Sequence, residues 1–286
     1  MSADVLILGA VAYDPKIVTI WDGFKDYFTE HGLPFDYILF TNYERQVQAH
    51  LDGLIHVAWN SPLAWLQTVR LAEASGRKVE AIVMRDTDRD LISTVIAKRE
   101  GPIRAVSDLK GKRVAVGAKD SPQATLIPLQ VLAAQGLEPD RDFEVVSFDI
   151  LVGKHGDHIG GERDAALALM RGDVDAACVI EGNYRLFEQD GTIAPGTTFR
   201  LLETPPYDHC NFTVLDGAPA DRIERFAELL LAMSYDDPEV RTLLDLEGLK
   251  RWVPARTEGY RLIADAVERF SAPSTATSSV FGRSVF

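Results

Sequence analysis

Gly53-Leu54-Ile55-His56-Val57-Ala58-Trp59-Asn60-Ser61-Pro62-Leu63-Ala64-Trp65 packs a strand, a turn and a helix start into one short stretch. Leu54–Ala58 is an apolar run of strand length. Asn60-Ser61-Pro62 then offers a capping side chain and a proline at the first helical position, so a helix follows over Leu63–Ala74. Upstream, Val5–Gly9 and Asp36–Phe40 read as strands. Ile17–Glu30 and Tyr43–Leu51 carry helical spacing between them, and Val79–Arg85 reads as a fourth strand. Strands that alternate with helices imply a mostly parallel sheet covered on both faces.

The same grammar recurs downstream. Ile92–Lys98, Val114–Gly117, Glu144–Phe148 and Val174–Ile180 read as strands. Helices are expected at Val106–Leu109, Gln123–Gln135, Arg163–Met170 and from Tyr184, with a glycine-rich loop from Gly153 to Gly161. After Pro205-Pro206 come a strand at Asn211–Leu215 and helices through Phe270, and the Ser/Thr/Ala-rich tail reads as an arm over 271–286.

The chain has 286 residues, 46% hydrophobic and 26% charged, enough for one large domain or two smaller ones. A net charge of −13 opposes binding to a nucleic-acid backbone. Cys178 and Cys210 are the two cysteines, too few for a disulfide framework. The start, Met1 to Gly9, lacks a basic segment ahead of its short apolar run. The expected location is therefore cytoplasmic, or periplasmic where a native leader has been removed. No apolar run approaches the ~20 residues of a membrane span. A P-loop, a Gly-x-Gly-x-x-Gly turn after the first strand and a Gly-x-Ser-x-Gly elbow are all missing, which disfavours nucleotide-driven and α/β-hydrolase chemistry.

Three stretches in order carry a resemblance: the one quoted above, then Asp108-Leu109-Lys110-Gly111-Lys112-Arg113-Val114-Ala115-Val116, then Asp164-Ala165-Ala166-Leu167 with Gly172-Asp173-Val174-Asp175-Ala176-Ala177. Together they resemble the phosphonate/sulfonate branch of the type II periplasmic solute-binding proteins, over roughly residues 5–215. The resemblance implies a two-lobed α/β fold, each lobe a mostly parallel sheet flanked by helices. Lobe 1 would comprise 1–88 plus 204–286 and lobe 2 would comprise 89–203, with crossings near Arg85–Thr94 and Arg200–Pro206. Ligand would sit between the lobes, at the C-terminal ends of strands. Where these proteins hold their anion on a Ser-Thr-Ser-Gly turn at a helix start, this chain has Ser121-Pro122-Gln123-Ala124. It also has His56 in place of an aspartate and Arg163 in place of a histidine. The expected function is binding of a small polar organic ligand. The alternative is a cytoplasmic enzyme on the same fold, a decarboxylase- or dehydratase-like lyase or a hydrolase, metal-assisted through His158, Glu162 and His209. Homodimerisation is open, and an ABC permease is a partner if an export leader has been trimmed.

Candidate site residues follow from chemistry and position. His155, His158, Glu162 and His209 could hold a divalent metal, the candidate cofactor; the 155–162 segment could equally touch ligand directly or form a polar loop. His158, Glu162, Glu181, His209 and Cys210 are the candidate catalytic groups. Neighbours on an extended strand point to opposite faces, so His209 and Cys210 are expected to pair with other residues rather than with each other. Glu181 reads either as a base or as a helix-capping carboxylate. Candidate ligand contacts are Tyr13, Asp14, Trp59, Asn60, Ser61, Arg85, Ser121, Gln123, Thr125, Asn183 and Tyr184. Asp14 also reads as an N-cap before Pro15, Trp59 either stacks on a planar ligand or packs the hinge, and Arg85 could pair with a carboxylate. Cys178 is expected in the core.

Overall fold

The computed structural model describes residues 5–156 and 160–271. In chain order it runs β1 (Leu6–Val11), α1 (Lys16–Glu30), β2 (Phe35–Phe40), α2 (Tyr43–Leu51), β3 (Val57–Asn60), α3 (Pro62–Ala74) and β4 (Val79–Arg85). It continues with β5 (Ser93–Lys98), β6 (Arg113–Val116), α4 (Ile127–Ala134), β7 (Glu144–Ser147), α5 (Gly160–Arg171), β8 (Ala176–Ile180), α6 (Glu181–Gln189) and β9 (Thr198–Glu203). The last elements are β10 (Asn211–Leu215), α7 (Ala220–Ala232), α8 (Pro238–Glu247), β11 (Trp252–Pro254) and α9 (Arg261–Ser271).

The chain divides into two units. Unit 1 takes the chain up to Arg89 together with Asp208–Gly259; unit 2 takes Asp90–Tyr207 together with the segment from Tyr260 through α9. The sheet of unit 1 has the order β11-β4-β10-β3-β1-β2. β1, β2 and β3 are parallel, while β10 runs antiparallel to both β3 and β4. The C-terminal ends of β1, β3 and β4 therefore share one sheet edge with the start of β10. Unit 2 has the order β7-β6-β8-β5-β9, with β5 as the reversed strand. Its corresponding edge gathers the ends of β6, β7, β8 and β9 and the start of β5.

The cores follow from periodicity. Ile17, Ile20, Trp21, Phe24 and Phe28 recur at helical spacing on α1 and are buried. They join Phe35, Trp59, Phe212, Phe226 and Trp252 in an aromatic-rich cluster. In unit 2 alternate strand residues feed opposite faces. Val95, Val114, Val116 and Cys178 pack with Leu129 and Leu132 of α4, while Ile96, Ala115, Ala177 and Val179 pack with Ala165 and Leu169 of α5.

Several expectations need correction. β3 starts at Val57 rather than Leu54, because Leu54 is exposed and the chain joins β1 only where the His56 N–H donates to the Ile7 carbonyl at 2.8 Å. The helix expected from Gln123 opens as a wide π-turn over Pro122–Leu126 before α4. β9 and β11 were not expected. Assigning all of 204–286 to lobe 1 also fails at its end: α9 packs on α4 of unit 2. Its Phe270 lies against the Leu129 cluster, and Arg269 pairs with Glu138 at 3.0 Å.

Candidate functional site

In unit 1, most of the residues expected to meet ligand have structural partners. Asp14 Oδ1 accepts the Lys16 N–H at 2.9 Å, which is its capping role, and the Lys16 ammonium lies 5.9 Å from the Tyr13 ring centroid. Trp59 packs in the core, 4.6 Å from Phe212, with the Arg85 guanidinium 5.2 Å from its ring. Asn60 is fully buried; its amide accepts from Gln46 and donates to Thr213, each at 2.9 Å. Ser61 caps α3 by accepting the Ala64 N–H at 3.2 Å.

Arg85 does not project as a ligand clamp. Its Nε and Nη2 grip the two Asp88 oxygens at 2.6 and 2.9 Å, and Nη1 reaches Glu247 Oε1 at 3.2 Å. Burial alone would raise the Asp88 pKa; the guanidinium outweighs that and holds it at about 2. The His209 N–H donates to the Asp88 carbonyl at 2.8 Å. Its Nδ1 lies 3.6 Å from Asp88 Oδ1 and 3.1 Å from Cys210 Sγ. The expectation that His209 and Cys210 point apart is thus corrected: they lie just ahead of β10, outside the ladder that enforces alternation. Thiol and carboxylate approach the same ring nitrogen, whereas a nucleophile–base–acid relay uses the two different nitrogens. Next to them Asp208 is fully buried and held at both oxygens by Arg256, at 2.6 and 2.7 Å.

In unit 2, the segment that replaces the expected anion-holding turn is bound into the fold. Ser121 Oγ accepts the Ala124 N–H at 3.2 Å and Thr125 Oγ1 donates to the Ala118 carbonyl at 2.8 Å. Gln123 Nε2 donates to the Gly156 carbonyl at 2.6 Å, and the Gln123 carbonyl accepts from Ser93 Oγ at 2.5 Å. The Ser93 hydroxyl also meets the Tyr207 hydroxyl at 2.6 Å. Burial raises the Tyr207 pKa, against the Ser93 hydrogen bond, and the Glu162 charge adds to the rise.

Glu162 is buried on α5. Its Oε2 accepts the Ile180 N–H at 2.8 Å and Asn183 Nδ2 at 3.0 Å, so the carboxylate sits at the start of α6. A Cβ on Gly117 would lie 3.8 Å from Glu162 Cγ and 2.8 Å from Ala124 Cβ, which places Glu162 beside the helix opening at Pro122. Glu181 stands in the first turn of α6, as its helix-capping reading expects, and is bound by Arg185 and Arg200 at 2.6 and 2.7 Å. Tyr184 meets Thr198 Oγ1 at 2.9 Å. His155 is buried with a φ of 51°. His158 lies outside the described residues.

His155 and Glu162 belong to unit 2 and His209 to unit 1. Among the described residues, the three ligating side chains that gather within 4.8 Å of one another are Asp88, His209 and Cys210. Sequence reasoning missed Asp88, Ser93 and Tyr207. Asp88 left one weak signal: an acid three residues after Arg85, on a single 3-10 turn that turns it back toward the guanidinium.

The sequence profile of the family described as "ABC transporter, phosphonate, periplasmic substrate-binding protein" matches residues 10–260. The structure is similar to PhnD1 of Prochlorococcus marinus in complex with methylphosphonate, with TM-score 0.69 and 17% identity over 93% of this chain and 98% of that one. It is similar to the same degree to XAC2383 of Xanthomonas citri bound to chloride ion, at 18% identity over the same shares of both chains. The aliphatic sulphonate binding protein SsuA of Escherichia coli gives TM-score 0.54 and 16% identity over 93% of this chain and 84% of that one. In sequence, 40 residues are 42% identical to an uncharacterized protein of Haemophilus influenzae, covering 14% of this chain and 56% of that protein; the chain thus spans about half the length of this curated relative. The family description favours the periplasmic alternative over the cytoplasmic expectation. No described helix is long and apolar enough to cross a membrane. The match over residues 10–260 shows that the chain belongs to the family of periplasmic substrate-binding proteins of phosphonate ABC transporters.

Proposed function

We propose that this chain captures a small polar organic solute, for delivery to an ABC permease, and that it recognises a group other than a phosphonate dianion. The observation that carries the reading is the state of the helix opening at Ser121–Thr125. Two of the hydroxyls of the family's anion-holding turn are replaced, Pro122 brings no N–H, and Ser121, Gln123 and Thr125 bond within unit 2. Hydrogen bonds to a charged group are worth about 1.5–3 kcal/mol each, so loss of two corresponds to at least about 100-fold in affinity. The solute is therefore neutral, cationic or weakly anionic.

Thermal-shift screening of the full chain against polar amines, amides, carboxylates, alkanesulfonates and alkylphosphonates tests this. Stabilisation by one of the first three classes, with the solute recovered unchanged by mass spectrometry, supports the reading. Stabilisation confined to phosphonates overturns the specificity. Conversion of the solute would favour the lyase or hydrolase alternative.

A further inference from the structure

We propose that Asp88, His209 and Cys210 form a binding site in unit 1 for one divalent transition-metal ion of the zinc class. The inference stands apart from the solute reading, because it uses none of the residues at the Ser121–Thr125 helix opening.

The geometry is that of a metal's ligand triangle. Nδ1 of His209 lies 3.1 Å from Cys210 Sγ and 3.6 Å from Asp88 Oδ1, and one ligand atom from each of the three residues falls within 4.8 Å of the other two. Ligands held about 2.0–2.3 Å from a tetrahedral ion lie about 3.3–3.6 Å apart, so small side-chain adjustments bring all three onto one ion. One sulfur, one imidazole nitrogen and one carboxylate oxygen suit zinc and disfavour magnesium and calcium, which take oxygen ligands.

The surroundings fit as well. All three residues are buried, so the site comes with walls that exclude most competing water. Arg85 donates one hydrogen bond to each Asp88 oxygen, which fixes the carboxylate plane and leaves lone pairs on both oxygens for a metal. Arg85 faces two carboxylates, Asp88 and Glu247. A divalent ion with a Cys210 thiolate would bring Arg85, Asp88, Glu247 and Cys210 to neutrality, and a buried charge is tolerated only when balanced. The shared nitrogen, which counts against a relay, is what convergence on one ion requires.

The test uses the full chain, stripped of metal, with Zn²⁺ added in competition with a chromophoric chelator and Co²⁺ added in a parallel titration. The proposal expects one Zn²⁺ per chain and a near-ultraviolet thiolate-to-cobalt charge-transfer band. Cys210→Ser removes the band, and both Cys210→Ser and His209→Gln weaken Zn²⁺ by more than about 100-fold, beyond what loss of an outer partner costs. Binding of Zn²⁺ weaker than about 10 μM by wild-type chain overturns the proposal, as does tight binding with no thiolate band. The wild-type titrations decide the matter even where a variant fails to fold.

Discussion

The side-chain amide of Gln123 donates to the carbonyl of Gly156 at 2.6 Å and so ties the helix opening in unit 2 to the loop after β7. Gly156 has a φ of 75°, and a Cβ there would overlap Ser121 Oγ and Gln123 Nε2. The loop approaches this closely only because glycine supplies both the left-handed backbone and the missing side chain. Gln123→Ala leaves a buried carbonyl unpaired, at a cost of about 1–3 kcal/mol. The expected readouts are a lower midpoint in urea and faster amide exchange across 150–156, with β6 and β8 still protected.

Asn60 predicts a larger loss. Its amide joins α2, β3 and β10 by accepting from Gln46 and donating to Thr213, whose hydroxyl in turn donates to Asn211 at 2.7 Å. Asn60→Leu is of similar size but strands donors and acceptors in a dry interior. About 2–4 kcal/mol should be lost, by equilibrium unfolding, with secondary structure unchanged in the folded baseline.

His50 makes the fold sensitive to acid. Burial lowers its pKa from 6.5 to about 4, against a contact with the His56 backbone that favours the charged form. The unfolded chain therefore binds the proton more readily than the folded chain between these values. The stabilisation is complete above pH 6.5 and is lost as pH falls toward 4, amounting to about 3 kcal/mol. Urea unfolding at pH 7 and pH 4.5 should show wild type losing about 2–3 kcal/mol more than His50→Leu; equal losses would contradict this assignment.

Gly259 lies against Asp208, and a Cβ there would overlap the carboxylate that Arg256 grips. Asp208 is fully buried, so displacing it from its cation exposes an unbalanced charge to a poor solvent. Gly259→Ala should cost about 3 kcal/mol or more, read as a lower midpoint of thermal unfolding.

The fold was legible because its signals are local and periodic. The apolar spacing of α1, the Ser61-Pro62 cap and the alternation across Val114, Ala115 and Val116 each report a single element. β9 and β11 were hidden because their alternation is interrupted by charge, as in Thr198-Phe199-Arg200, or too short to register, as in Trp252–Pro254. The candidate site was harder, since its bonds join residues far apart in the chain. Ser93 meets Tyr207 and Asp88 meets His209 only through pairing of distant segments, which no local pattern encodes. Trp59, Asn60 and Arg85 carry chemistry that suits a ligand, and within unit 1 the fold gives each of them a structural partner, which residue type alone does not reveal.

Calorimetric titration of wild-type chain with methylphosphonate tests the central claim most directly. With the Ser121–Thr125 opening bound into unit 2, no saturable heat should appear below about 100 μM ligand. A stoichiometric isotherm with a Kd of about 1 μM or tighter would contradict the account.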